Sequence, residues 1–275
     1  MSIFEDTLDH YASNNHLAEN NIYYKILFSV ITLVINLFAN SPIMPFVIFL
    51  ICTVLIIWKA GIPANFYVTF MSVPAGFAFI TVIFMAFFFG VGPHIWDLGI
   101  FGWGITADGL NRGILIFFKV MGGVSALAFL ILTTPMNRVF TVFQDMKLPP
   151  ELTDLAILMY RYIFLFLDVT ATMYNSQKTR LGYHSYTSWM HCLSQLAGMV
   201  FIRTWEQGEI AYNALASRGY SGRLNMLGSE ESIHDITVKD WAVLIIFEVA
   251  LAYLIYITGS INVIPYLIPV LIKLI

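Results

Sequence analysis

Residues 42–58, PIMPFVIFLICTVLIIW, form an apolar run without a single charged side chain. A helix crosses the hydrocarbon core of a bilayer, about 30 Å thick, with roughly 20 apolar residues. The run therefore predicts a membrane-spanning helix. Composition agrees, because 59% of the 275 residues are apolar and only 11% are charged, whereas a soluble domain has about 25% charged residues. These values exclude a soluble enzyme, a disordered chain and a secreted disulfide scaffold.

Further apolar runs lie on both sides of this stretch. They cover residues 22–40, 66–90, 113–134 and 241–259. The predicted fold class is all-α, a polytopic membrane protein with five transmembrane helices, or six if the apolar tail 261–275 also crosses. Residues 91–110, rich in Gly and Trp, are expected to form a loop without an evident role. In the fourth run, Gly122 and Gly123 favour the close approach of another helix.

Charged residues are concentrated between the fourth and the last run. Residues 134–240 hold nine of the 14 Lys and Arg residues and ten of the 17 Asp and Glu residues. We therefore expect transmembrane helices in 1–133, a module of amphipathic helices in 134–240 and one or two transmembrane helices in 241–275. Because Lys and Arg favour the cytoplasmic side, the N-terminus and the 134–240 module are both expected in the cytoplasm, with the protein in the cell membrane.

One helix of this module has three possible locations. It starts near Glu151 and places Asp154, Arg161 and Asp168 on one face, with apolar residues on the others. Such a helix lies at the membrane boundary or is buried in protein, and a further membrane span is the third alternative. Its three charges favour the membrane boundary.

Sequence motifs of enzymes are missing. The chain contains no HExxH pair, Walker A sequence, GxSxG elbow or CxxC pair. His184 and His191 are spaced for one helix face, but two ligands without a third make a weak metal site. We therefore predict no catalytic, cofactor or metal residues. The net charge of -3 lacks the basic excess of nucleic-acid-binding proteins, so no nucleic-acid partner is expected.

Two ionisable residues fall inside predicted spans. Charges within the membrane are costly and usually face a partner or a cavity. A pair between Lys119 and Glu248 along a transport pathway is one interpretation. The favoured interpretation is helix packing, either as a pair or with Lys119 reaching the nearby interface.

Two short stretches of the module resemble each other. They are NSQKTRLGY at 175–183 and YNALASRGY at 212–220. Each places an arginine near a predicted helix C-terminus and follows it with glycine and tyrosine. An arginine in the last turn interacts favourably with the free carbonyl groups, and glycine closes a helix in the left-handed conformation. Either end alone is ordinary, but two on one segment indicate a paired docking device.

These stretches, in their order along the chain, resemble the CbiQ/EcfT family, the transmembrane T component of energy-coupling factor transporters, and most closely its cobalt and nickel branch. Ser217-Arg218-Gly219 fits the second arginine motif of that family closely, and Thr179-Arg180-Leu181 fits the first less closely. The resemblance also rests on Asp9-His10-Tyr11-Ala12, Thr133-Thr134-Pro135, Leu148-Pro149 and the stretch MYRYI at 159–163.

The resemblance implies a non-catalytic coupling subunit of an importer for cobalt ions. Two ABC-type ATPase subunits would each receive one arginine end, and a membrane substrate-binding subunit of the CbiM type, the S component, would hold the substrate. Nickel, biotin or another vitamin are alternative substrates, and a membrane-embedded enzyme or channel ranks lower. The residues implied to contact the ATPases are Thr179, Arg180, Leu181, Ser217, Arg218 and Gly219.

Overall fold

The computed structural model describes residues 11–17, 20–89, 94–97, 104–145, 149–220 and 238–258. The helices are α1 (Ile22–Leu37), α2 (Ile43–Val54, continued by a π-helical turn Leu55–Lys59), α3 (Ala64–Phe88), α4 (Ala107–Thr133), α5 (Met136–Asp145), α6 (Pro150–Thr179), α7 (Tyr186–Ser217) and α8 (Val238–Thr258). A two-stranded antiparallel ladder, β1 (His94–Asp97) and β2 (Gly104–Thr106), precedes α4. The predominance of helices confirms the predicted all-α polytopic membrane class.

The segment 91–110 is not simply a loop. It contains β1 and β2, and α4 begins within it at Ala107. The predicted tail 261–275 lies outside the described residues.

Four described helices are long and apolar enough to cross a membrane by length and composition. They are Ala64–Phe88, Asp108–Thr133, Glu151–Thr179 and Val238–Thr258. Two further apolar helices are shorter than these four. Helix α1 has 16 residues, and α2 with its π-helical turn reaches from Ile43 to Lys59. Helix α6 is therefore long and apolar enough for the membrane span that the sequence left open as an alternative location of this helix.

The chain divides into two compact units. The described residues of one unit are 11–17, 20–89, 94–97, 104–135 and 238–258, and those of the other unit are 136–145 and 149–220. The three functional parts expected from the sequence stay a prediction.

Helices α1, α2 and α4 approach one another closely in the first unit. A Cβ atom at Gly122 would lie 2.8 Å from the carbonyl oxygen of Pro45 and 3.0 Å from Oδ1 of Asn36. Gly123 is next to Asn36 as well, at 3.2 Å from Nδ2. Because real Cβ atoms do not approach a backbone oxygen so closely, glycine is required at 122. The close approach predicted for Gly122 and Gly123 is confirmed.

A stripe of buried polar residues on α1 binds this helix to its neighbours. Lys25, Ser29, Thr32 and Asn36 are each at most 3% exposed and follow one helix face. Three of them donate to backbone carbonyls of α4: Lys25 Nζ to Thr133 at 2.9 Å, Ser29 Oγ to Ala126 at 2.7 Å and Asn36 Nδ2 to Lys119 at 2.9 Å. In a membrane, where each unsatisfied polar group is costly, such bonds fix which helix faces meet.

Lys119 and Glu248 have separate partners. Lys119 Nζ donates to the carbonyl oxygen of Leu37 at 2.9 Å, so it caps the last turn of α1. Glu248, 6% exposed, accepts a hydrogen bond of 2.8 Å from Thr32 Oγ1. The two side chains form no ion pair in the described part of the chain. Their contacts agree with a helix-packing role for each residue.

Candidate functional site

Helices α6 and α7 form an antiparallel hairpin that carries both arginine stretches. Helix α6 has 30 residues and α7 has 32, and residues 180–185 join them. Near this turn Gln177 Nε2 donates to the carbonyl oxygen of Cys192 at 3.2 Å. Near the other end of the hairpin, Tyr220 donates to Asp154. Each arginine stretch therefore lies at one end of the same hairpin.

The first arginine end closes α6. Arg180 is the C-cap residue, the Leu181 amide donates to Lys178 at 3.1 Å and the Gly182 amide donates to Gln177 at 3.0 Å. This pair of hydrogen bonds defines a Schellman motif, which requires a left-handed residue directly after the cap. Leu181 holds that position with a φ of +57°.

The second arginine end closes α7 with the same backbone arrangement. Arg218 is the C-cap residue, the Gly219 amide donates to Ala216 at 3.1 Å and the Tyr220 amide donates to Leu215 at 3.1 Å. Gly219 has a φ of +74°. The two ends are thus matched in backbone geometry, with an exposed arginine at the same position of each.

The sequence prediction for the closing glycine is right at one end and wrong at the other. Gly219 takes the left-handed position, whereas Gly182 stands one residue after it. A Cβ atom at Gly182 would lie 2.6 Å from Cys192 Sγ and 3.0 Å from the carbonyl oxygen of Gln177. Glycine is therefore needed at 182 for the close packing of the turn on α7, and Leu181 takes the left-handed conformation in its place.

A tyrosine anchors the first arginine end. The hydroxyl of Tyr183 donates to Gln177 Oε1 at 2.6 Å, and its ring lies 4.8 Å from that of Tyr174 between centroids. Ser188 Oγ donates to the carbonyl oxygen of Gly182 at 2.7 Å. Through these bonds the turn is held to both α6 and α7.

A second tyrosine anchors the other end. The hydroxyl of Tyr220 donates to Asp154 Oδ2 at 2.9 Å, and Asp154 is 3% exposed. This hydrogen bond raises the pKa of Tyr220, and desolvation and the carboxylates of Asp154 and Glu151 raise it further. Sequence reasoning missed both anchors. The signal was the tyrosine that follows the glycine in each stretch.

The structure separates the two arginine ends. Tyr220 contacts α6 at Asp154, close to its N-terminus, and Arg180 caps its C-terminus. From Asp154 to Arg180 the helix rises by about 40 Å. The two arginines therefore do not converge on one site.

All six residues that the sequence assigned to ATPase contact are exposed. The hydroxyl before each arginine bonds to its own helix, because Thr179 Oγ1 donates to Ser176 at 2.9 Å and Ser217 Oγ donates to Asn213 at 2.8 Å. These hydroxyl protons are thus used within the helix. The side chains that extend freely from the two ends are those of Arg180, Leu181 and Arg218.

An apolar groove of about 760 Å³ lies between α6 and α7. Its walls include Met159 and Phe166 from α6 and Gly208 and Tyr212 from α7. The hairpin thus leaves an apolar surface between its two arginine ends.

Metal-ligating residues do not gather in the described part of the chain. No group of three or more His, Cys, Asp or Glu side chains is arranged there to hold a metal ion. His191 Nε2 lies 3.2 Å from Gln195 Nε2, a contact along its own helix. The absence of a metal site from the whole chain stays a prediction.

Comparison with known proteins identifies the family. The model of the CbiQ family, described as cobalt transport protein, matches residues 13–227. The chain belongs to the CbiQ family. The resemblance stated from the sequence is thereby confirmed.

Relatives of this CbiQ chain differ in length. An uncharacterized protein of Methanocaldococcus jannaschii is 34% identical over 262 residues, 94% of this chain and 96% of that protein. The putative fused cobalt transport protein CbiMQ of Methanocorpusculum labreanum is 33% identical over 223 residues, 79% of this chain but only 37% of the longer fused protein. The energy-coupling factor transporter transmembrane protein EcfT of Streptococcus thermophilus is 24% identical over 212 residues, 72% of this chain and 78% of that protein. The CbiQ chain is a multi-pass transmembrane component of the cobalt and energy-coupling factor transporter group.

Proposed function

We propose that this CbiQ chain is the coupling subunit of an importer for cobalt ions, which transmits the motion of two ATPase subunits to a substrate-binding membrane subunit of the CbiM type. The observation that carries the proposal is the matched pair of arginine ends. Arg180 and Arg218 occupy the same C-cap position in two Schellman turns and are both exposed. The chain itself is not an enzyme in this proposal, and ATP hydrolysis takes place in the partner subunits.

The chemistry of the ends suits a protein partner with a carboxylate. A guanidinium group forms two parallel hydrogen bonds with a carboxylate, and this pairing is strongest where water is partly excluded. Removing one partner of such a desolvated pair costs about 2–5 kcal/mol. A loss of this size uncouples two proteins without unfolding either of them.

The distance between the ends supports two partner subunits instead of one. Arg180 and the Tyr220 anchor lie about 40 Å apart along α6, which is comparable to the diameter of a whole domain. Each arginine end therefore requires its own groove. Two ATPase subunits beneath the membrane satisfy this requirement.

The proposal places the N-terminus and residues 134–240 in the cytoplasm, with α6 at the membrane boundary, which the charges of Asp154, Arg161 and Asp168 favour, and not across the membrane. The bias of Lys and Arg supports this orientation. The two membrane parts are then residues 1–133 and 241–275, and the coupling module between them is 134–240. A reporter that is active only in the cytoplasm, fused after Gly228, should be active. Activity of an exported reporter at the same position contradicts the proposal, because it places Arg218 on the wrong side for an ATPase.

The assignment of cobalt rests on the family description and on the name of the fused relative, which joins CbiM to CbiQ. Nickel, biotin and other vitamins stay as alternatives. Uptake of each substrate by cells that express the chain with its ATPase and S subunits distinguishes them. Cobalt accumulation that requires the chain supports the proposal, and accumulation of another substrate alone replaces cobalt with that substrate.

The docking role is tested by charge reversal. Arg218→Glu and Arg180→Glu should each abolish co-purification of the co-expressed ATPase subunits and substrate uptake. Arg203→Glu is the matched control, since Arg203 is an exposed arginine in the middle of α7. The Arg203→Glu variant should retain co-purification of the ATPase subunits and substrate uptake. All variants should insert into the membrane to the same level. Normal uptake with Arg218→Glu would reject the proposal.

A further inference from the structure

Leu181 has an unusual backbone conformation for its residue type. Among the described residues it is the only one other than glycine with a positive φ, +57°. Its side chain is 75% exposed. A residue with a Cβ atom avoids this left-handed region because Cβ comes too close to the following carbonyl oxygen. The chain therefore holds an exposed apolar side chain in a costly conformation at the tip of its hairpin.

The fold does not explain why leucine stands there. The same Schellman turn closes α7 with Gly219, and no described atom lies within 4 Å of a Cβ position at Gly219. At the first end the close packing on Cys192 requires glycine at 182, one residue later. Glycine at 181 would satisfy the turn at lower cost. Strained residues that persist without a structural need indicate a function for the side chain.

Leu181 is directly next to Arg180, and the turn that carries both is held by Tyr183 and Ser188. A partner that binds the guanidinium of Arg180 consequently meets the leucine side chain in a fixed position. The second end offers Arg218 followed by Gly219, so it presents the same charge without an apolar side chain at the matched position.

We propose that Leu181 is a recognition residue, whose side chain enters an apolar pocket of an ATPase subunit beside the carboxylate that binds Arg180. The two arginine ends are then not equivalent: the first requires an apolar pocket and the second does not. This inference rests on the proposed function, and it names the chemistry of the partner site at one end.

The test uses the full-length chain in lipid nanodiscs and separately purified ATPase subunits, and the affinity is measured by titrating one with the other. Leu181→Gly removes the side chain and relieves the backbone. Leu181→Asn removes the apolar contact with a residue type that tolerates the left-handed conformation. Both should weaken ATPase binding about tenfold or more without lowering the melting temperature. Leu181→Met, which keeps an apolar side chain of similar size, should retain the affinity.

Unchanged affinity with Leu181→Gly and Leu181→Asn would overturn the inference while leaving the docking of Arg180 intact. Loss of affinity together with a lower melting temperature in both variants would assign Leu181 to folding and would overturn it as well. Equal losses in the Gly, Asn and Met variants would contradict an apolar pocket. If the unaltered chain does not bind the ATPase subunits, the proposed function itself fails, which is a separate outcome.

Discussion

Replacing Gly122 by alanine is a direct test of how the membrane helices pack. The new Cβ atom would lie 2.8 Å from the carbonyl oxygen of Pro45, a backbone atom of α2, and 3.0 Å from Asn36 Oδ1 on α1. The Asn36 side chain cannot simply rotate away, because its Nδ2 donates to the carbonyl oxygen of Lys119. Helix α2 must therefore move away from α4, or this hydrogen bond must break.

The expected magnitude follows from two opposing effects. Adding a methyl group to a closely packed site costs about 1–3 kcal/mol. Alanine favours the helix over glycine by up to about 1 kcal/mol. Gly76→Ala is the matched control, since no described atom lies within 4 Å of a Cβ position at Gly76 in α3. The control experiences only the favourable effect, so Gly122→Ala should be less stable than Gly76→Ala by about 1–3 kcal/mol.

The free energy of unfolding is measured by titrating the detergent-solubilised protein with sodium dodecyl sulfate and following its circular dichroism. Gly123→Ala adds an intermediate case, because its Cβ position lies 3.2 Å from the Asn36 side chain and not from a backbone atom. Stability should fall in the order Gly76→Ala, Gly123→Ala, Gly122→Ala. If Gly122→Ala is as stable as Gly76→Ala, the close approach of α2 and α4 described above is wrong.

Three further predictions concern the hairpin and the buried carboxylate. Gly182→Ala should lower both the melting temperature and ATPase binding, because its Cβ atom would clash with Cys192; thermal unfolding and co-purification check this. Tyr220→Phe should lower the melting temperature by removing the hydrogen bond to Asp154. Because the pKa of Tyr220 is raised in the folded state, the unaltered chain should lose this stabilisation as the pH rises above the ordinary tyrosine pKa of about 10 and through the raised pKa. Tyr220→Phe should not show this loss of stability at alkaline pH. Equal pH profiles of the two proteins would count against the hydrogen bond. Glu248→Gln should change the free energy of unfolding by no more than about 1 kcal/mol. The amide oxygen still accepts the hydrogen bond from Thr32, and no cation pairs with the Glu248 carboxylate among the described residues. A large loss of stability in the detergent titration would show that the charge of Glu248 has a partner.

The apolar runs predicted most of the helices because a membrane span must be apolar over its whole length. The run at 42–58 became α2 with its π-helical turn, and the run at 66–90 became α3 almost unchanged. The arginine ends were predictable for a similar reason, since Arg180 and Arg218 are marked by the local pattern of a helix C-terminus. Signals of this kind lie within a few neighbouring residues.

Features that depend on distant contacts were not predictable. The sequence placed the left-handed residue at Gly182, but the hydrogen bonds of the turn place it at Leu181. Gly182 is needed instead for the close contact with Cys192 on the next helix. The hydrogen bond from Tyr220 to Asp154 joins the C-terminal end of α7 to the N-terminal end of α6, which are far apart in the sequence. The short ladder that contains Trp96 was hidden for another reason, because strands of three and four residues show little alternation.

The anchoring of both arginine ends to a single helix has a mechanical consequence. Gln177 and Asp154, which bind the two anchoring tyrosines, belong to α6 and lie near its two ends. Forces applied at the two tips therefore add up in one rigid rod. Equal forces translate the rod, whereas opposed forces exert a torque and rotate it about its middle. If each end binds one ATPase subunit, as proposed, the rod responds to the difference between the two forces as well as to their sum.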